Sequence, residues 1–227
     1  MTRPYYEDDL VALYLGDCLE IHEWLDADIL VTDPPYGQSW ETTHWDTKRG
    51  YKKRNILCDD STDTRDAALA LWGDKPGICF GNIGKPLPKN TKMTCIYHKA
   101  SNAGMFGAKI AGIRRDIEAI YFIGGWAYDT TFGNKSSIFE STVKQASTLS
   151  NRHGHPHAKP LDVMEKLISC APPQSIIADP FAGSGSTLVA AKMLGQRSIG
   201  VEMDEHYCEI AAKRLEQNVL PLEIGDD

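Results

Sequence analysis

The sequence predicts an α/β chain with a mainly parallel central sheet and helices on both faces. Short β-rich runs alternate with stretches of helical spacing through most of the 227 residues. That length suits one α/β domain and would squeeze two. With 42% apolar and 24% charged residues, the chain has material for a core and lacks the composition of disorder. A chain of this size buries roughly 70% of the surface its unfolded form exposes, so it needs no disulfide or metal staple.

The elements follow in order. Val11 to Leu15 is an apolar run ending at Gly16-Asp17, and reads as a strand. Cys18, Leu19, Ile21, Trp24 and Leu25 recur at helical spacing, which predicts a helix over 18–25. Asp28 to Thr32 is a strand that stops at Asp33-Pro34-Pro35-Tyr36-Gly37, because two prolines end a sheet ladder. Residues 38–56 are polar, aromatic and basic, and read as a long loop. Ser61 to Trp72 is helical, with Ser61 as N-cap and Asp63 in the first turn. Residues 78–80, 93–97 and 119–123 are strands. The Gly-, Ser-, Thr- and His-rich stretch 124–158 is irregular. Pro160 opens a helix to about Ala171 with Val163, Met164, Leu167 and Ile168 on one face. A strand over 175–178, a helix over 184–194, a strand over 198–201 and a helix over 205–217 complete the chain. Ligands in such folds sit beyond the carboxyl ends of the strands, so the loops after 11–15, 28–32, 175–178 and 198–201 are the places to look.

Composition excludes some classes. No run of about 18 apolar residues is present to span a membrane. Met1 to Asp9 is polar and acidic, unlike a signal peptide. The six cysteines are scattered without a C-x-x-C pair, which argues against a Cys-rich zinc site. They read as small buried side chains of a protein in a reducing cytoplasm. The cluster Arg152, His153, His155, His157 has no acid nearby, and no metal is expected there. The net charge of −7 is unevenly spread: residues 1–33 carry −8, residues 200–227 carry −6, and residues 34–199 carry +7. A positive face on an acidic protein is compatible with that pattern, as is an ordinary solvated surface.

Two motifs carry chemistry. Asp179-Pro180-Phe181-Ala182-Gly183-Ser184-Gly185-Ser186-Thr187 follows a strand and opens a helix. Its glycines let the backbone approach a ligand, and the helix N-terminus offers unpaired N–H groups to an anion. No Lys follows Gly185, so it is not a P-loop, and Leu188 stands where a dinucleotide fingerprint needs Gly. Glu202, at the end of the next strand, is placed to accept hydrogen bonds from two ribose hydroxyls. The ligand suggested is a nucleoside bearing a carboxylate. The second motif, Asp33-Pro34-Pro35-Tyr36, holds a carboxylate, carbonyls and an aromatic ring on one rigid turn. A planar aromatic amine fits it, donating to the Asp33 carboxylate and the Pro34 carbonyl while the base stacks on Tyr36. Taken singly, a glycine turn before a helix and an acid-capped proline turn are the plain alternatives.

Together these residues resemble the amino-methyltransferases that use S-adenosylmethionine to methylate exocyclic amines of DNA. D-P-P-Y matches the family's catalytic motif, and Phe181 to Gly185 matches its F-x-G-x-G cofactor motif. D-P-P-Y comes first, which is the circularly permuted arrangement of the β class. Gly16-Asp17-Cys18-Leu19 is similar to the G-D-x-L segment beside the cofactor adenine. His155 to Pro160 is similar to the H-P-x-x-K-P segment that leads into the helix before the cofactor strand. The likeness spans about residues 10–217.

The resemblance implies a Rossmann-like methyltransferase fold in a single domain, 1–227. Residues 33–56 would form a catalytic, DNA-facing loop and 124–154 a small target-recognition insertion. It implies Asp33, Pro34 and Tyr36 at the reacting amine, Phe181 against the cofactor, Glu202 on its ribose, and Asp17 with Cys18 near its adenine. Asp179, Gly183 and Gly185 of the same loop would also bind the cofactor. Lys159, Ser184, Ser186 and Thr187 are candidates for its methionine end. The partner implied is double-stranded DNA with the target base flipped out. Lys48, Arg49, Lys52, Lys53 and Arg54, five bases in seven residues, are read as phosphate contacts. Trp40, His44 and Trp45 are candidates to wedge against the gap or the flipped base. The chain is short for the family, so target recognition is either brief or shared with a second subunit, as in a homodimer. Adenine N6 is favoured, because the cytosine N4 subgroup more often has Ser in place of Asp33. RNA adenine methyltransferases usually carry Trp at the tyrosine position. A catalytically silent DNA-binding subunit is disfavoured by the intact motifs.

Overall fold

The computed structural model describes residues 2–37, 60–99, 111–126, 135–142 and 158–217. Its strands are β1 (Tyr6–Glu7), β2 (Val11–Leu15), β3 (Ile29–Thr32), β4 (Gly77–Gly81), β5 (Thr91–His98), β6 (Ile117–Ile123), β7 (Ile138–Glu140), β8 (Ile177–Asp179) and β9 (Ser198–Glu202). Its α-helices are α1 (Asp63–Trp72), α2 (Leu161–Ile168), α3 (Ser186–Met193) and α4 (Glu205–Gln217). All strands join one sheet in the order β1-β2-β9-β8-β3-β4-β6-β5-β7. From β2 to β4 every neighbour is parallel. β6 then runs antiparallel to both β4 and β5, and β1 runs antiparallel to β2.

Side-chain alternation explains why both faces are covered. All four residues of β3 are buried. Ile29, Val31, Ile78, Phe80 and Ile177 pack beneath Val163, Met164 and Leu167 of α2 and Ala190 and Ala191 of α3. Leu30, Cys79, Ala178 and Val201 face the other way, onto Trp24 and onto Ala68, Leu69 and Trp72 of α1. The indoles of Trp24 and Trp72 stack there, 5.8 Å between centroids. Gly200 lets α3 approach the sheet: a Cβ at that position would stand 2.7 Å from a Leu188 methyl.

Several sequence expectations need correction. Residues 18–25 do not form an α-helix but a turn followed by one 3-10 turn at Glu23–Asp26. The Asp17 carboxylate takes the Leu19 N–H at 2.9 Å, and the Trp24 indole N–H donates to the Cys18 carbonyl at 3.0 Å. Local side-chain bonding competes with the helix ladder, and the apolar spacing is used to seat Trp24 in the core. α1 begins at Asp63, with the Ser61 hydroxyl accepting the Asp63 N–H at 3.2 Å. α3 begins only at Ser186, because Gly183 and Gly185 have φ of +52° and +78°. β1 and β7 are short edge strands that periodicity does not reveal. β7 lies within the stretch read as irregular and pairs with β5.

The five described cysteines are free, and four of them are buried. Burial pushes the thiols of Cys18 and Cys208 up to about 12. Among the described residues no helix is long and apolar enough to cross a membrane.

Candidate active site

Sheet order makes the site. Reading along the carboxyl ends of β2, β9, β8 and β3, the chain leaves the strands at Gly16-Asp17, Glu202, Asp179–Gly185 and Asp33–Tyr36. Adjacent strands lie about 4.8 Å apart, so these four ends span roughly 15 Å. Sequence segments up to about 185 residues apart therefore share one edge of the sheet. The two motifs also touch: the Thr32 hydroxyl donates to the Asp179 carboxylate at 2.7 Å, and the Phe181 N–H reaches the same oxygen at 3.1 Å. Asp179 is fully enclosed, and burial, opposed by its hydrogen bonds from Thr187, Thr32 and the Phe181 N–H, pushes its carboxyl up to about 7.

At the β3 end, Pro34 and Gly37 are buried while Asp33, Pro35 and Tyr36 are partly exposed. Gly37 has φ +69°, and a Cβ there would meet the Ser61 backbone at 2.8 Å, so glycine permits the turn to close against the start of α1. The Tyr36 hydroxyl donates to Asp33 Oδ1. Asp33 Oδ2 accepts the Lys159 ammonium at 2.5 Å. The same ammonium lies 3.1 Å from the Tyr36 hydroxyl, 3.3 Å from Glu118 Oε2 and 4.7 Å from the centroid of Phe80. Glu118 in turn accepts Lys99 at 2.6 Å. Burial raises the Asp33 carboxyl; Lys159 opposes the shift and Glu118 adds to it. Burial would raise Glu118 as well, but Lys159 and Lys99 outweigh it and hold the carboxyl down to about 2. Burial works against the Lys159 cation, yet Asp33 and Glu118 overcome it and its pKa is raised.

At the β9 end the Glu202 carboxylate is held by backbone. Oε2 accepts the Gly183 N–H at 2.7 Å and Oε1 accepts the Asp204 N–H at 2.8 Å. Each oxygen retains a lone pair for a further donor. Burial raises this carboxyl, with the two N–H groups opposing. The Gly16 N–H is bonded to the Glu202 carbonyl at 2.9 Å, which joins the Asp17 turn to the same corner.

Some expected residues are placed differently. Lys159 is not turned to the glycine loop but bonded to Asp33. Ser184, Ser186 and Thr187 are buried, with their hydroxyls engaged inward. Arg214 of α4 donates to the Ser184 carbonyl at 2.5 Å and lies 3.1 and 3.3 Å from the Ser184 and Ser186 hydroxyls. The Thr187 hydroxyl is bonded to Asp179. What this loop can offer a ligand is therefore its backbone N–H groups at the start of α3. Glu118, Lys99 and Arg214 escaped the sequence reading. For Glu118 a signal existed: it is the one charged residue in the apolar strand Ile117–Ile123. Lys48, Arg49, Lys52, Lys53, Arg54, Trp40, His44, Trp45 and the cluster Arg152, His153, His155, His157 lie outside the described residues.

Comparison with known proteins agrees with this geometry. The N6/N4-type DNA methylase family model matches residues 71–213, more than half of the chain. The type II methyltransferase M.ScaI of Streptomyces caespitosus is 44% identical over 95% of this chain and 84% of its own length. Two solved structures share the fold. The cytosine-N4-specific PvuII DNA methyltransferase covers 97% of this chain and 91% of its own, at 14% identity and a TM-score of 0.65. TTHA0409 from Thermus thermophilus, solved in complex with S-adenosyl-L-methionine, covers 90% and 93%, at 19% identity and a TM-score of 0.55. The order of strands, the carboxylate at the end of β3, the glycine loop after β8 and these matches together establish that the chain belongs to the DNA methylase family of N6-adenine and N4-cytosine amino-methyltransferases.

Proposed function

We propose that this chain transfers a methyl group from S-adenosyl-L-methionine to the N6 amine of an adenine flipped out of double-stranded DNA. The observation that carries the reading is the Asp33 carboxylate, standing at the end of β3 with Tyr36 and one strand away from the glycine loop. The cofactor supplies an electrophilic methyl group on a positively charged sulfur. Its fit rests on the donor set: Glu202 would hold the ribose hydroxyls, Asp17 with Cys18 the adenine edge, Phe181 its flank, and the backbone at Gly183 to Thr187 its carboxylate. Asp179 and Gly185 shape that loop.

The adenine amine is a poor nucleophile because its lone pair is delocalised into the ring. Asp33 and the Pro34 carbonyl would accept its two hydrogens. That favours a pyramidal nitrogen and stabilises the positive charge that develops there. The Tyr36 hydroxyl orients the carboxylate, and its ring offers the base a stacking surface. Lys159 acts on Asp33 rather than on the cofactor.

The test is direct. Protein, labelled S-adenosylmethionine and unmethylated DNA are incubated, the DNA is digested and the modified nucleoside identified. N6-methyladenine is expected. N4-methylcytosine would overturn the choice of base and leave the family assignment standing. The basic segment is tested by salt dependence. Each phosphate contact contributes about −0.9 to the slope of log affinity against log salt, so replacing Lys52, Lys53 and Arg54 with Ala should flatten it by up to about 3. An unchanged slope would remove them from the DNA interface.

A further inference from the structure

Four charged side chains alternate in sign behind the D-P-P-Y turn. Lys99 meets Glu118 at 2.6 Å, Glu118 meets Lys159 at 3.3 Å, and Lys159 meets Asp33 at 2.5 Å. The inner members are the more enclosed: side-chain exposure is 30% for Lys99, 16% for Glu118 and 9% for Lys159, rising to 26% at Asp33. Four separate parts of the chain supply the row: the β5 end, β6, the segment before α2 and the turn after β3. The cation nearest to Asp33 poses an electrostatic difficulty. Methyl transfer builds positive charge on the amine, and an ammonium bound to the acceptor carboxylate cancels the field that would stabilise it.

We propose that Glu118, tethered by Lys99, is a positioning residue that shares the Lys159 ammonium with Asp33 and so keeps that cation from cancelling the pull of the Asp33 carboxylate on the target amine. The inference rests on Asp33 being the amine acceptor. Lys159 then fixes the position of Asp33 without neutralising it, because its charge is divided between two carboxylates. Glu118 itself stays ionised, clasped by two lysines, and does not take the amine proton.

The electrostatics give opposite signs for two substitutions. An ionised Glu118 raises the Asp33 carboxyl by like charge. Glu118→Gln removes that charge and leaves Lys159 to Asp33 alone, so the acid limb of the methyl-transfer rate profile moves to lower pH. Lys99→Met, at a partly exposed site, leaves Glu118 less neutralised, and the limb moves to higher pH. Asp33 also faces Tyr36, Cys79 of β4, Tyr97 of β5 and Asp179 at the end of β8. Of these, Asp179 titrates near neutrality, so the profiles are repeated in an Asp179→Asn background.

The experiment is single-turnover methylation of unmethylated DNA by the full chain across pH, for wild type, Glu118→Gln, Glu118→Asp, Lys99→Met and Asp33→Ala. Glu118→Gln should lower the plateau about tenfold, short of the ~10²–10³ lost when a group touching the reacting atoms is removed. Its acid limb should move down, that of Lys99→Met should move up, and Glu118→Asp should keep the wild-type limb. Limbs that stay put, or move the same way in both variants, would overturn the proposal, and rates that fall equally at every pH would show Glu118 to be structural only. Should Glu118→Gln fail to fold, the upward displacement in Lys99→Met decides alone. Near-normal turnover in Asp33→Ala would instead defeat the reading on which the proposal rests.

Discussion

Asp33 and Glu202 are both partly buried acids just beyond or at the carboxyl end of a parallel strand, and the protein holds them by opposite means. Glu202 is bound by two backbone N–H groups, from Gly183 and Asp204. Asp33 is bound by side chains, the Tyr36 hydroxyl and the Lys159 ammonium, the latter 126 residues away in sequence. A backbone clamp fixes a carboxylate as firmly as the fold itself and carries no formal charge. A side-chain clamp adds a full charge that must be balanced, here by Glu118 and Lys99. On the proposed assignment of Glu202 to the cofactor and Asp33 to the amine, the cofactor end of the site is built for shape and the reacting end for electrostatics. Either acid can be broken separately, and the two losses should differ in kind.

The largest effect is expected at the side-chain clamp. Asp33→Ala should lower methyl transfer by at least ~10²-fold while S-adenosylmethionine binding persists. Rapid-quench turnover and calorimetry on the same preparation would check both halves, and a rate close to wild type would erase the contrast. Glu202→Ala should do the reverse. Losing a charge-assisted contact costs about 1.5–3 kcal/mol of cofactor affinity, with DNA affinity little changed; an unaltered cofactor Kd by calorimetry would refute the ribose role.

Arg214 supports the backbone side of the contrast. Its guanidinium is buried beneath the glycine loop, and burial lowers its pKa to about 10. Arg214→Met should leave the Ser184 carbonyl without this donor, at a cost of about 1–3 kcal/mol in stability. Chemical denaturation would measure it, and a stability equal to wild type would show that the loop holds its shape unaided. A pH-dependent effect concerns Asp179, which joins the two regions. Because its folded carboxyl is raised to about 7, the native state holds the proton more tightly than the unfolded chain. Stability from this residue is therefore full below about pH 4, where both states are protonated. It declines as pH rises toward 7 and is flat above. Asp179→Asn should lack that decline, so its Tm should gain on wild type between pH 4 and 7; parallel melting curves would reject the assignment.

The contrast also explains what could be read in advance. Glu202 and the glycine loop are local features, a strand end and a strand-to-helix turn, and their partners lie close by in the chain or one strand away. The D-P-P-Y turn is similarly local, since two prolines announce a stop wherever they occur. Lys159 lay within a recognisable segment, but its contact with Asp33 did not follow from that, because spacing along a chain says nothing of which long side chains meet across a sheet. The helix expected over 18–25 shows the same limit. Its apolar period was genuine, but burying Trp24 beneath the sheet and capping the turn with Asp17 used those residues without a helix.

From residues alone came the α/β class, most of the strands and helices, and the identity of the chemical groups at four strand ends. Those depend on periodicity, on backbone rules for Pro and Gly, and on side-chain chemistry, all of which act within a few residues. Tertiary structure alone decided the strand order β2-β9-β8-β3 that gathers those ends on one edge, the antiparallel turn of β6, and the alternating row Lys99, Glu118, Lys159, Asp33. The physical reason is that sheet pairing and the balance of buried charge are settled between residues distant in sequence. Their free energies exist only once the chain has brought those residues within a few ångströms.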